Sequence, residues 1–447
     1  AGTDRRPSGR FAVTESQTKP NDSDESLLAT SGSIAIATLT SRITGFIRTV
    51  LVTSMLGAAI SSAFITAYTL PSMVAEALLG AVLTAIVIPV LVRAEREDDD
   101  GGAGFINRVF TLALSVLTVG TVIALIAAPL LTMLSLGDGK VNRSLATHLS
   151  FLLLPEILFY GLSALFIATL NMRGNFKPGA WAPVVNNLVQ ITTLVVYAIV
   201  PGEISLNPVR MGDTKLLVLG IGTTLGVVVQ ALILVPALRR SGVHLKLKWG
   251  LDARLRKFGN MASAVILYVV VLQVGWVITT RIAAHADAAG PANYSQHWML
   301  LQVPYGVLGV TILTAIMPRL SRNAAANDTA SVVDDLSVAT RLTMVALVPI
   351  ITFMTFFGPA IGVALFNFGK FDEHTATQLG TVLTCGAFTI IPYSMTLVQL
   401  RVFYAREDAW TPTVMTVGIT VVKVAFSYLG LALFDNGQDV VRWLAFS

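Results

Sequence analysis

Between its charged clusters, this chain runs almost without interruption through apolar stretches of twenty to thirty residues. Lipid offers backbone N–H and C=O groups no partner, and a helix crosses the hydrocarbon with about 20 apolar residues at roughly 1.5 Å rise each. With charged, Gly and Pro clusters as boundaries, eleven spans follow: 27–57, 61–92, 106–134, 145–171, 181–201, 215–238, 260–284, 292–318, 336–366, 375–403 and 411–434. Charged residues make up 13% of the 447 positions, against about 25% in a soluble domain. A soluble enzyme, a nucleic-acid-binding module and a disordered scaffold are thereby excluded. The fold class is an all-α polytopic membrane protein.

The distribution of the 31 Lys and Arg residues sets an orientation. Twenty lie in the N-terminal tail and in every second loop: 93–108, 172–180, the strongly basic 239–259, and the loops holding Arg319 with Arg322 and Arg401 with Arg406. The alternate loops hold five: Lys140, Arg143, Arg210, Lys215 and Lys370. Cytoplasmic loops retain cations, so the polar tail, 1–26, is expected in the cytoplasm. No apolar core with a cleavage site precedes Leu27, which argues against a signal peptide. The single Cys385 and five unpaired histidines offer neither a disulfide framework nor a metal site.

Two sequence echoes share one offset. Leu83-Thr84-Ala85-Ile86, followed by Pro89, recurs as Leu313-Thr314-Ala315-Ile316, followed by Pro318, 230 residues on. Trp181-Ala182-Pro183 recurs as Trp410-Thr411-Pro412, 229 residues on. Six spans separate the copies, so the repeats share one orientation. That predicts two six-helix lobes related by a pseudo-two-fold axis along the membrane normal, with a substrate site between them. The expected divisions are 27–240, a basic inter-lobe loop 241–259, and 260–447. The register sets residue 447 against residue 218, early in span 6, so the second lobe is expected to be truncated in its sixth helix.

Six cations remain. Arg341 and Arg442 lie near span ends; Arg42, Arg48, Arg281 and Lys423 lie within spans. Arg42 sits about 22 Å along span 1, near the bilayer centre. An arginine there costs at least about 2.5–3.5 kcal/mol, so it faces a bundle interior or a wet cavity. Arg48 follows about 9 Å further and roughly 120° around, with Ser41 and Gly45 in the arc between, leaving space for a large anion. A buried ion pair is the alternative for both, and outward snorkelling for Arg48. Glu76 is either the partner of an arginine or a protonatable group, and Glu156, beside Pro155, fits either role. Arg281 either snorkels or lines the cavity; Lys423 either lines it or has a partner. Up to four interior cations against two acids describe a positive cavity for an anionic substrate bearing phosphate or carboxylate. Nothing resembles a Walker loop, and Gly222 with Gly226 reads as helix packing. No cofactor is expected; the driving force would be a coupling-ion gradient or the membrane potential. Pro71, Pro155 and Pro304, with Gly306 and Gly309, are expected as hinges, static kinks being the alternative.

The run Ser41-Arg42-Ile43-Thr44-Gly45-Phe46-Ile47-Arg48 resembles the opening signature of the MurJ/MviN family, lipid II flippases of the multidrug/oligosaccharidyl-lipid/polysaccharide exporter superfamily. Further stretches agree in order: Ala63-Phe64 with Leu70-Pro71 and Pro89, then Leu170-Asn171 with Phe176, Pro178, Ala182-Pro183 and Asn187. Pro304, Gly306-Val307-Leu308-Gly309 and Pro318-Arg319-Leu320-Ser321 follow, then Phe403-Tyr404-Ala405-Arg406, Asp408 and Thr411-Pro412. The similarity runs from about residue 30 to 434. It implies two lobes in a V around a cationic cavity, two further C-terminal helices forming a lipid groove, and a bacterial plasma-membrane location. It implies movement of lipid-linked peptidoglycan precursor to the outer leaflet by alternating access, with Arg42 and Arg48 at the diphosphate and headgroup. Implied partners are lipid II, membrane lipids and cell-wall synthesis proteins; no nucleic acid and no enzymatic step are implied.

The chain also departs from the family pattern. Thr49 and Ser62 stand where many members carry acids, Ala75 and Glu76 replace paired arginines, and Met299 replaces an arginine for which Arg281 is a spatial substitute on this reading. Competing readings are an exporter of another polyprenyl-linked oligosaccharide or a drug, a membrane scaffold for cell-wall assembly, and an integral-membrane glycosyltransferase. A positive wall repels a cationic drug, intramembrane arginines are an unexplained cost for a scaffold, and the acidic run Glu97–Asp100 is a weak metal site for a transferase.

Overall fold

The computed structural model describes residues 22–80, 102–250, 259–306, 328–405 and 408–447, with isolated positions at 90, 94, 98, 100, 316, 319–320, 322–323 and 326. The helices are α1 (Asp22–Leu56), α2 (Ala58–Ala75, continued by a π-helical turn Glu76–Gly80), α3 (Ala103–Ile126), α4 (Ala128–Leu136), α5 (Arg143–Leu153) and α6 (Glu156–Met172). They continue as α7 (Lys177–Ile199), α8 (Thr214–Leu232), α9 (Leu234–Arg240), α10 (Gly259–Ala286) and α11 (Gly290–Pro304). Last come α12 (Thr329–Phe366), α13 (Glu373–Gly386), α14 (Ile390–Ala405), α15 (Trp410–Leu433) and α16 (Gly437–Phe446). No strand occurs among the described residues.

Nine of these helical stretches are long and apolar enough to cross a membrane, and α5 with α6 makes a tenth as a span bent by 47°. The bend falls at Pro155, whose missing N–H breaks the ladder. The remaining expected span, 292–318, contains α11, described continuously only through Gly306; most of its second half, with Gly309 and nearly all of the Leu313–Pro318 echo, lies outside the described residues. So do the first echo, Leu83–Pro89, and the tail through residue 21. Pro71 does not interrupt α2, which widens into its π turn five residues later.

The duplication is visible in the packing. α1 lies along α7 as α10 lies along α15; α2 packs on α5 as α11 packs on α13; α5 packs on α8 as α13 packs on α16. In that correspondence α16 stands in the second lobe where span 6 stands in the first. Helices of the first lobe approach closely because small residues line their contacts. A Cβ at Gly222 would collide with Thr193, and one at Gly226 with the Asn186 amide. Polar side chains cap helix starts: Asn142, Asp328, Asp372 and Asn436 accept from N–H groups of the first turns of α5, α12, α13 and α16.

The lobes touch at the ends that carry the cation-poor loops. The Lys370 amide donates to the Ser54 carbonyl (2.6 Å), and the Lys140 amide to the Ala284 carbonyl (2.8 Å). Lys140 Nζ donates to the Ala286 carbonyl (2.7 Å), and Lys370 Nζ lies 3.7 Å from Glu203. Gly369, at φ +62°, brings its backbone so near the Ser54 carbonyl that a side chain there would collide.

Candidate functional site

Span 1 carries its two arginines to different places. Arg48 Nη1 donates to the Tyr68 hydroxyl (2.7 Å) and to the Gln190 amide oxygen (3.1 Å), and its guanidinium carbon lies 5.0 Å from the Tyr68 ring centre. No carboxylate among the described residues lies within salt-bridge distance of it. Both partners are neutral, so the positive charge is positioned without being cancelled.

Gln190 is itself oriented by a relay. Its Nε2 donates to Asn186 Oδ1 (2.7 Å), Asn186 Nδ2 donates to Gln230 Oε1 (2.9 Å), and Gln230 Nε2 donates to Ser163 Oγ (3.3 Å). Every amide oxygen in the series points back toward the guanidinium. A buried network satisfied in one direction holds its members rigidly.

Arg48 opens on a cavity of about 190 Å³ between the lobes, walled by Thr49, Tyr68 and Gln190 from the first and by Ser295, Gln296 and Met299 from α11. Its roof is an inter-lobe hydrogen bond, Gln296 Nε2 to Thr53 Oγ1 (2.6 Å). Thr49 and Met299, two of the departures from the family pattern, thus line the cavity. Ser62 instead accepts from the Ala292 amide (3.3 Å) across the lobe boundary.

Arg42 is exposed, and its guanidinium lies over Gly306, where any Cβ would overlap it. Gly306 was expected as a hinge; the structure gives it a steric role, as the hydrogen-sized position that admits Arg42 to the seam between α1 and α11. Pro304 ends α11, and Tyr305 and Gly306 form a wide π-helical turn.

Two sequence expectations are corrected, for Ser41 with Gly45 and for Arg281, and the alternatives for Glu76, Glu156 and Lys423 are narrowed. Ser41 and Gly45 do not border open space: Asn187 Nδ2 donates to the Ser41 carbonyl (3.0 Å) and lies 3.4 Å from where a Gly45 Cβ would stand. That face of span 1 packs on α7. Glu76 is not paired with an arginine among the described residues; it accepts from Gln273 Nε2 of α10 at 3.3 Å. Arg281 does not replace an arginine at Met299, because it lines a different cavity, of about 420 Å³, walled mainly by apolar residues such as Leu70, Met73, Leu134 and Val274. There it lies against Gly137. Glu156 is buried and touches no cation directly; Thr224 Oγ1 reaches its Oε1 at 3.2 Å. Lys423 has a partner, the Tyr294 hydroxyl at 3.1 Å.

Tyr68, Gln190 and Gln296 escaped sequence reasoning. A signal existed for Gln190: Asn186, Asn187 and Gln190 fall on one face of an otherwise apolar helix, three or four residues apart.

A family model for the lipid II flippase MurJ matches residues 52–437. The chain belongs to the MurJ family. The match begins after Arg42 and Arg48, so it does not itself carry over the arginine signature. A lipid II flippase MurJ of Burkholderia cenocepacia is 25% identical over 413 residues, covering 89% of this chain and 77% of the relative. A probable lipid II flippase MurJ of Vibrio cholerae is 26% identical over 422 residues, covering 90% and 78%. Among solved structures, a lipid II flippase MurJ in an inward closed conformation superposes with a TM-score of 0.74 at 17% identity, covering 92% of this chain and 84% of that one. An inward-facing multidrug resistance MATE family transporter, itself of the MOP superfamily, gives 0.75 at 15% identity, covering 91% and 90%. At those identities the structures establish the fold: two helical lobes of the MurJ and MATE type. The family is one of transporters and not of catalysts.

Proposed function

We propose that this protein carries lipid II from the cytoplasmic to the outer leaflet by alternating access, and that Arg48, with Arg42 beside the seam, engages the lipid-linked diphosphate. The observation that supports this reading is the state of Arg48. It is a cation in the membrane interior, set between the lobes and held by neutral oxygens, with no acid paired to it among the described residues. A phosphate oxygen placed in that cavity would gain charge-assisted hydrogen bonds from a planar donor already oriented to receive it.

The cavity's size supports a moving mechanism. At about 190 Å³ it is smaller than the roughly 300–1,000 Å³ of ordinary small-ligand sites, and a disaccharide-peptide headgroup is larger still. Substrate entry therefore requires the lobes to part. With the cation-rich loops on the cytoplasmic side, the contacts at Ser54, Lys140, Ala284 and Lys370 close the outer end. The arginine seam lies nearer the cytoplasmic end, the side on which the precursor is made. Reopening at the outer end while the seam closes completes the exchange. The energy for return would come from an ion gradient or the membrane potential.

The test is complementation. Cells depleted of the native protein receive wild type, Arg42→Ala or Arg48→Ala, and lipid II exposed on the outer leaflet is measured in intact cells. Loss of exposed lipid II in the Arg48→Ala strain, at normal protein level, is the expected result; full exposure with both substitutions would sink the proposal.

A further inference from the structure

Glu156 has no assigned work, and its surroundings are unusual for a carboxyl group. It begins α6 after the Pro155 break and is completely buried. Its Oε2 has no hydrogen-bond partner. Its Oε1 has only Thr224 Oγ1 at 3.2 Å, and that hydroxyl lies closer, at 2.8 Å, to the Leu152 carbonyl. A permanent buried carboxylate needs donors on both oxygens or a cation in contact, and this one has neither.

The groups that act on it lead to the substrate cavity. Arg48 on α1 attracts it through space. Tyr160, one turn along its own helix, and Tyr68, on the packed helix α2, lie near enough to act on it and on each other. Tyr68 in turn bonds Arg48 (2.7 Å). Of the other charged or titratable groups on the described elements around α6, His148 of α5 turns to the Ser144 carbonyl (2.7 Å), Arg108, Lys177 and Lys215 lie at helix starts, Arg239 and Arg240 end α9, and Glu76 of the π turn accepts from Gln273. Among the described residues, the Arg48 guanidinium is the charge that supports an ionised Glu156.

We infer that Glu156 is a proton-binding site coupled to the anion site at Arg48: occupation of Arg48 by a diphosphate drives uptake of one proton from water onto the Glu156 carboxylate, and departure of the anion releases it. The bound anion neutralises Arg48, so the carboxylate loses its supporting charge and the neutral acid becomes the favoured form. One O–H bond forms on Glu156, Arg48 keeps its own protons, and the Tyr68 and Tyr160 hydroxyls offer the path from the cavity. Linkage makes the effect reciprocal, so protonation of Glu156 must tighten the anion by the same factor. The inference rests on the anion reading of Arg48 given above.

The test uses the purified full chain in detergent with farnesyl diphosphate as probe. Calorimetric titrations in two buffers of different ionisation enthalpy give the protons taken up per probe bound, for wild type, Glu156→Gln and Arg48→Ala. Subtracting Glu156→Gln cancels the probe's own titration. Wild type is expected to take up as much as one proton more than Glu156→Gln, and its affinity to rise by up to about tenfold per unit fall in pH relative to that variant. Equal proton uptake in the two, with binding still dependent on Arg48, overturns the proton site alone. Undiminished binding by Arg48→Ala overturns the anion reading and the proton site with it. If Glu156→Gln does not fold, the infrared difference spectrum of wild type on probe addition decides: a gained carboxylic-acid band supports the proposal, and an unchanged carboxyl region overturns it.

Discussion

The Arg42 guanidinium and Gly306 share one space across the seam between the lobes, so that the arginine fits only because position 306 carries no side chain. The contact joins the first helix of one lobe to the second helix of the other. Gly306→Ala should push Arg42 away and lower transport severalfold while leaving folding intact. Gly418→Ala is the control, since a methyl added there meets nothing within 4 Å. Outer-leaflet lipid II in complemented cells is the measurement, and equal values for the two variants would remove the steric role.

The two acceptors on Arg48 should matter in proportion to what they hold. A hydrogen bond to a charged group is worth about 1.5–3 kcal/mol. Tyr68→Phe removes the 2.7 Å bond and Gln190→Ala the 3.1 Å bond together with its relay. Each should reduce transport about tenfold or more, and less than Arg48→Ala. Arg48→Lys keeps the charge but loses the planar fork, so it should fall between wild type and alanine. Dose-matched complementation assays check the order.

These residues also mark what the sequence could reveal. Span existence was legible because lipid demands a long apolar run whatever the tertiary structure, and most expected boundaries fall within a few residues of the described helices; α12, which begins at Thr329, seven residues before the expected 336, departs furthest. Lobe pairing was legible from one repeated offset. Which way a residue faces inside a membrane bundle was not, because every face of such a helix is apolar and periodicity has little to report. Thus Gly45 and Ser41, placed by helical angle beside open space, pack on Asn187. Glu76, read as either an arginine's partner or a protonatable group, meets Gln273, a residue with no sequence signal tying it to Glu76. Arg281 and Met299, joined by an expected substitution, line separate cavities.

The closure proposed for the outer end should be trappable. Lys370 and Ser54 are joined backbone to backbone at 2.6 Å, which places two cysteines there within disulfide reach. In a Cys385→Ser background, Ser54→Cys with Lys370→Cys should cross-link on oxidation and stop transport, and a reductant should restore it. Transport continuing in the fully cross-linked protein would mean that the outer end need not open.

Asp372 connects this closure to acid stability. Its carboxylate caps α13, and the hydroxyl and amide of Thr375 hold it below the usual carboxylate range. A carboxyl depressed by folding contributes stability above its unfolded value, near 3.9, and loses that contribution as pH falls through the folded value. Asp372→Ala should therefore melt lower than wild type at pH 7, with the gap closing below about pH 4. Thermal melts across that range check it; a gap independent of pH would assign the loss to packing.

The most direct measurement is the binding of lipid II itself to purified wild type, Arg48→Ala and Arg48→Lys, read as dissociation constants at fixed salt. Loss of a charge-assisted pair with phosphate should weaken Arg48→Ala at least about tenfold, with Arg48→Lys between. Equal affinity of wild type and Arg48→Ala for lipid II would contradict the assignment of the inter-lobe cavity as the diphosphate site.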